Sequence, residues 1–193
     1  MKRRWLLLLL SASAAGPLEE PSAPLLRMKT GLSEAAKHGW PPLRHEVERL
    51  VAENFDLMAI ARSVLGNRMN SVTPSQHEHL AHALGSRLVR EIMGQAQPPS
   101  SLIVSNIRTI GAGEWILSVE TPKDARPALV HGWRIRSSEG QMRIVDVLRN
   151  GTSAAITQRD ELAAALRKSD LDTITTEIER RSATELDPTP TAR

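Results

Sequence analysis

From Leu43 the apolar positions recur at helical spacing, with Leu43, Val47, Leu50 and Val51 on one face. A second helix is predicted to start at Asp56, a good N-cap residue. Leu57, Ile60, Ala61, Val64 and Leu65 form its buried face, and Gly66 is placed to end it. Thr73-Pro74-Ser75-Gln76 predicts the next start: an N-cap Thr, Pro at the first helical position, and Gln three residues after the cap. Leu80, Ala81, Leu84, Leu88 and Ile92 continue that helix, and Gly94 and Pro98-Pro99 close it.

The period then changes to two. Trp115, Leu117, Val119 and Thr121 alternate with Ile116, Ser118 and Glu120, and Leu129, His131, Trp133 and Ile135 alternate with Val130, Gly132, Arg134 and Arg136. Such alternation marks antiparallel strands with one buried face. Ser137 to Gly140 reads as a hairpin turn into a strand over Gln141 to Leu148, a less regular strand covers Leu102 to Thr109, and Gly111-Ala112-Gly113 is a turn. Asn150-Gly151 breaks the sheet. Helical spacing returns with Leu162, Ala165 and Leu166, and again with Leu171, Ile174 and Ile178. The order predicts an α+β fold: N-terminal helices, a curved antiparallel sheet of about four strands, C-terminal helices, and an apolar cavity between sheet and helices.

The ends of the chain read differently. Met1-Lys2-Arg3-Arg4, the apolar run Trp5 to Leu10 and the small residues Ser11 to Ala15 have the layout of a signal peptide over residues 1–15. Residues 16–42, rich in Pro, Gly, Ser and Ala, are expected to be a flexible segment with at most one short helical piece. The single domain is expected over 43–183, and 184–193 is expected to be a disordered tail. The signal reading alters the charge argument. The chain holds 25 basic and 22 acidic residues, and loss of Lys2, Arg3 and Arg4 leaves 22 of each. Basicity therefore gives no support to a nucleic-acid partner. No segment after the leader is long and apolar enough to span a membrane. There is no Cys, which excludes thiol catalysis and disulfides, and with no Tyr and one Phe the core must rest on aliphatic residues and Met.

Catalytic patterns are weak. His77-Glu78-His79-Leu80-Ala81-His82 invites a metalloprotease reading, but the position four after His77 is Ala81, and the zincin pattern fails. His79 and His82 have no visible third ligand, so these histidines read as solvated helix-face residues. His131 lies on an alternating apolar face, and a His131–Asp146 pair inside the cavity would suit a periplasmic acid–base enzyme. The plainer reading is a satisfied core His and an Asp bonding backbone at a strand end. Phosphate-loop, dinucleotide and nucleophile-elbow patterns are absent. Thr152, Ser153, Gln158 and Arg159 cluster at the sheet-to-helix junction. They read as a pocket mouth or docking site, as a helix cap closed by an Arg, or as both at once.

Two blocks frame the middle of the chain. The first holds Phe55-Asp56, Val64-Leu65-Gly66, Thr73-Pro74-Ser75-Gln76 and Leu88-Val89-Arg90; the second holds Ile144-Val145-Asp146-Val147, Gly151-Thr152-Ser153 and Gln158-Arg159. In this order they resemble the MlaC family, also called the toluene-tolerance family, of periplasmic phospholipid-binding proteins. Met142, Ile92 and Asn150 stand where that family often has Trp, Tyr and Glu. They mark a divergent branch, and a branch of this family accompanies hopanoid synthesis. The resemblance implies a monomeric lipid carrier rather than an enzyme, without cofactor or metal. Its cargo would be a phospholipid or a hopanoid. Its partners would be an outer-membrane lipoprotein–porin complex and the substrate-binding ring of an inner-membrane ABC transporter. The expected lipid-lining residues are Phe55, Ile60, Val64, Leu88, Ile92, Trp115, Leu117, Trp133, Ile135 and Ile144. An adaptor that binds only protein is a third reading. The carrier has a physical rationale: at roughly 0.8 kcal/mol per methylene, exposing a long acyl chain to water costs on the order of 10 kcal/mol.

Overall fold

The structure, a computed structural model, describes residues 19–39, 44–94, 103–120 and 131–184. The predicted signal peptide and the tail beyond Thr184 lie outside them. Helix α1 (Ala23–Ala36) corrects the expectation of a flexible segment over 16–42. Pro24 sits in its first turn, where its missing N–H does no harm, and Leu25, Met28, Leu32 and Ala35 form a buried stripe. Pro21, Pro24 and Gly31 concealed that stripe in the sequence. These residues join the same core as the rest of the chain, so the folded unit begins before residue 43.

Helix α2 (Arg44–Asn54) buries Val47, Leu50 and Val51. Helix α3 (Leu57–Leu65) starts where predicted, with the Asp56 carboxylate accepting from the Ala59 N–H at 2.9 Å. Gly66, at φ 55°, ends it, and a short 3₁₀ turn (Gly66–Ser71) leads on. Helix α4 (Pro74–Met93) has the full capping box: Thr73 Oγ1 accepts from the Gln76 N–H, and the Gln76 side chain accepts from the Thr73 N–H.

Strands β1 (Ile103–Gly111), β2 (Glu114–Glu120), β3 (His131–Ser138), β4 (Gln141–Arg149) and β5 (Thr152–Ser153) form one antiparallel sheet, ordered as in the chain. The β3–β4 turn at Glu139-Gly140 and the β4–β5 turn at Asn150-Gly151 both have positive φ at two successive residues, the geometry that suits tight hairpins. Asn150-Gly151 thus does not end the sheet. It folds Thr152–Ser153 back along β4 as a fifth strand too short for periodicity to show. Extra residues Ser105 and Ile110 on β1 and Val145 on β4 break the register and bend the sheet. Helices α5 (Ala154–Ala165) and α6 (Leu171–Thr184) complete the chain, α5 against α3 and β4, α6 against α4.

The two blocks that frame the sequence meet in space. The Phe55 backbone bridges to Ile144, and the Asp56 N–H donates to the Ile144 carbonyl at 2.9 Å. Arg143 donates to the carbonyls of Ala52 and Glu53, capping α2. Arg27 of α1 donates to the buried Asn54 side chain and to the Met142 carbonyl, and ion-pairs with Glu19, whose carboxylate accepts from the Met142 N–H. The helical layer is thereby pinned to β4.

Candidate functional site

Register lines up rows of side chains on the helix-facing side of the sheet. One runs Ile107, Leu117, Trp133, Val147; the next runs Thr109, Trp115, Ile135, Ile144. Directly opposed residues share a face, so each row is a strip of one surface. Leu117, Ile135 and Ile144 are fully sealed. Val104, Trp115, Trp133 and Val147 are only partly buried, and Ile107 is 46% exposed. Phe55, from the α2–α3 junction, meets Trp133 with ring centroids 6.3 Å apart and planes at 59°. The Trp133 Nε1–H is shut off from solvent and has no hydrogen-bond acceptor among the described residues.

The structure thus brings Phe55, Trp115, Leu117, Trp133, Ile135 and Ile144 together at one sheet–helix interface. Ile60 and Ile92 are buried on α3 and α4, and Leu88 packs partly buried against the same core. Val64 is elsewhere: it lines a groove of about 400 Å³ between α3, α4, α5 and α6, with Leu80, Leu84, Leu162, Ile174 and Ile178. Arg87, Gln158, Glu161, Glu177 and Arg181 also line it. Burial works against the charge on Arg87, but hydrogen bonds to Glu161 and Glu91 outweigh it and raise its pKa. Hydrogen bonds from Arg180 and then Arg181 lower Glu177 to about 2. The charges lining this groove are already matched to one another.

Missed by the sequence reading were Val104, Ile107 and Val147 on the sheet face and the interhelical groove. The Ser105 bulge explains the first two. Plain alternation groups Ile103 with Ile107, whereas the extra residue puts Val104 on the Ile107 side.

The polar junction behaves as a cap. Ser153 Oγ accepts from the Ile156 N–H at 3.1 Å to start α5. Arg159 donates through Nε and Nη2 to the Ser63 carbonyl at 2.9 and 2.5 Å, closing the end of α3. Gln158 lines the groove, and Thr152 pairs with Arg149 at the sheet edge. Asp146 belongs to the same corner. Its Oδ1 accepts from the Val147 and Ala155 N–H groups at 2.8 and 3.1 Å, and Ser153 Oγ donates to Oδ2 at 2.5 Å. Register sets Asp146 opposite Arg134 and His131 opposite Arg149. Both carboxylate oxygens of Asp146 serve this corner.

The helix-face histidines are not simply solvated. His77 is buried and its Nε2–H donates to the Met58 carbonyl at 3.0 Å. His79 and His82 both reach Glu179 on α6, at 3.3 and 2.7 Å. Burial opposes the Glu179 charge, but hydrogen bonds from His82 and then His79 outweigh it and lower its pKa. Among the described residues, no group of three or more His, Asp or Glu is placed to hold a metal ion, and no helix is long and apolar enough to cross a membrane.

The fold and this face define an α+β protein with a curved, open sheet whose apolar side is turned toward a helical layer. Residues 32–180 match the family described as "MlaC protein", and the chain belongs to that family. A phospholipid-binding protein from Ralstonia solanacearum, solved in complex with a phospholipid, shares the fold. It aligns with a TM-score of 0.70 at 14% identity, over 88% of this chain and all of the other. No curated protein matches the sequence.

Proposed function

We propose that the protein is a soluble lipid carrier of the periplasm, exported by its leader, that holds acyl chains between the sheet and the helices and catalyses no reaction. The observation that carries this reading is the packing on the helix-facing side of the sheet. The strip is apolar from β1 to β4, yet Trp115, Trp133 and Val147 are only partly buried and Ile107 stands 46% exposed. Large apolar side chains left partly uncovered on one sheet face suit a ligand of the same character. Family membership and the fold shared with a phospholipid-bound protein support the same reading.

On this reading the carrier moves lipid between an outer-membrane complex and the substrate-binding ring of an inner-membrane ABC transporter. Its site need only match the bilayer in affinity, since tighter binding would block release. Energy for directional movement then comes from the transporter. The free end of the strip at β1 is the side from which chains enter.

Native mass spectrometry of the exported protein, followed by lipid extraction, tests this. Copurifying diacyl phospholipid is expected. Val147→Trp, which sets a second large ring opposite Trp133, should expel it, whereas Leu84→Trp, on the wall of the interhelical groove, should leave it in place. Protein that holds no lipid, or that loses it only with Leu84→Trp, refutes the assignment.

A further inference from the structure

A buried donor with no acceptor is rare in a folded protein, because its lost hydration is not recovered. Among the described residues, Trp133 Nε1 is such a donor. Its surroundings narrow what could satisfy it. By register Trp133 stands between Leu117 and Val147, and its ring meets Phe55. None of these neighbours offers a side-chain acceptor or a charge. The indole therefore presents one neutral N–H within an apolar strip that runs out to exposed Ile107.

We propose that the Trp133 Nε1–H donates to an ester carbonyl oxygen of a bound glycerolipid, fixing how deep the chains sit. This rests on the carrier reading above. A neutral acceptor fits because an ionised phosphate at this depth would be stripped of water with no partner charge. The nearest cation on the face by register, Arg149, is largely exposed and already bound to Glu91. An ester carbonyl lies at the head of the acyl chain, so one hydrogen bond there sets the register of the whole chain without reading the headgroup. It also selects against cargo that has apolar bulk and no carbonyl, which includes the hopanoid alternative.

The test compares a diester phosphatidylcholine with its dialkyl ether analogue of equal chain length. Both are offered to the full-length protein in mixed vesicles, and the bound lipid is extracted and weighed by mass spectrometry. Wild type is expected to prefer the ester on the order of tenfold, the usual consequence of leaving a buried donor unpaired. Trp133→Phe should bind both equally, because it removes the donor and keeps a ring against Phe55. The indole N–H proton resonance of Trp133, assigned by its loss in that variant, should move downfield with the ester lipid only. This reads out the contact in wild-type protein, whatever the variant does to folding. Equal binding of the two lipids by wild type, or an ester preference that survives Trp133→Phe, overturns the proposal and leaves the carrier reading intact. Failure of wild type to retain either lipid overturns both.

Discussion

Replacing Asp146 tests whether the sheet-to-helix corner is structural. Asp146 is 9% exposed and accepts three hydrogen bonds, from the Val147 N–H, the Ala155 N–H and the Ser153 hydroxyl. Asp146→Ala removes all three acceptors and leaves the N–H of buried Ala155 without a partner. Hydrogen bonds to a charged group contribute about 1.5–3 kcal/mol each, and an orphaned buried donor costs about 1–3 kcal/mol. Two effects reduce the sum. A buried carboxylate no longer has to be desolvated, and the bonds share one acceptor group and are not additive. The expected net loss is about 3 kcal/mol, a large part of the roughly 5–15 kcal/mol typical of a domain. Asp146→Asn keeps Oδ1 for both backbone donors and should cost only about 1 kcal/mol. Urea unfolding followed by far-UV circular dichroism measures both. Ser153→Ala added to Asp146→Ala should cost little more than Asp146→Ala alone, because the bond they share is already gone. A loss below about 1 kcal/mol for Asp146→Ala, or full additivity with Ser153→Ala, would refute the corner assignment.

Three further outcomes are expected. Glu179 has a pKa below that of a free carboxylate, so its contribution is complete above the unfolded value and is lost as pH falls through the folded one; Glu179→Gln should therefore flatten the acid limb of the urea midpoint against pH. Gly66 has φ 55°, and a Cβ there would lie 3.0 Å from Arg159 Nε, so Gly66→Ala should lose about 1–3 kcal/mol in the same unfolding assay; Gly111→Ala, where a Cβ meets open space, is the control. N-terminal sequencing of protein from the envelope fraction should show the Met1–Ala15 leader removed; an intact leader would argue against export by this route.

The helices that announce themselves do so by chemistry at their ends. Asp56 and Gly66 bound α3, and Thr73 with Gln76 starts α4, because each satisfies backbone groups locally. Strands β2 and β3 were legible because their two faces differ in polarity. What escaped notice depends on partners distant in sequence. Helix α1 looks like a linker until Arg27 is seen bonded to Asn54 and Met142. Strand β5 has two residues and exists only because Asn150-Gly151 turns them back. The cluster Thr152, Ser153, Gln158 and Arg159 could be located but not interpreted, since whether Arg159 faces a ligand or the Ser63 carbonyl is decided by where α3 lies. Alternation put Trp115, Leu117, Trp133 and Ile135 on one face of the sheet, but it could not show Val104 and Ile107, which the Ser105 bulge turns to that face, nor that Val64 lines the interhelical groove.

The irregular first strand has a bearing on solubility. β1 forms the outer edge of the sheet, and its exposed isoleucines would make it a template for pairing with the same strand of another molecule. The extra residues at Ser105 and Ile110 interrupt the run of evenly spaced backbone donors and acceptors twice within nine residues. A second copy approaching this edge finds no continuous ladder to complete. The strand beside this exposed apolar surface thus carries a built-in obstacle to fibrillar self-association, and straightening β1 by deleting both Ser105 and Ile110 would remove it.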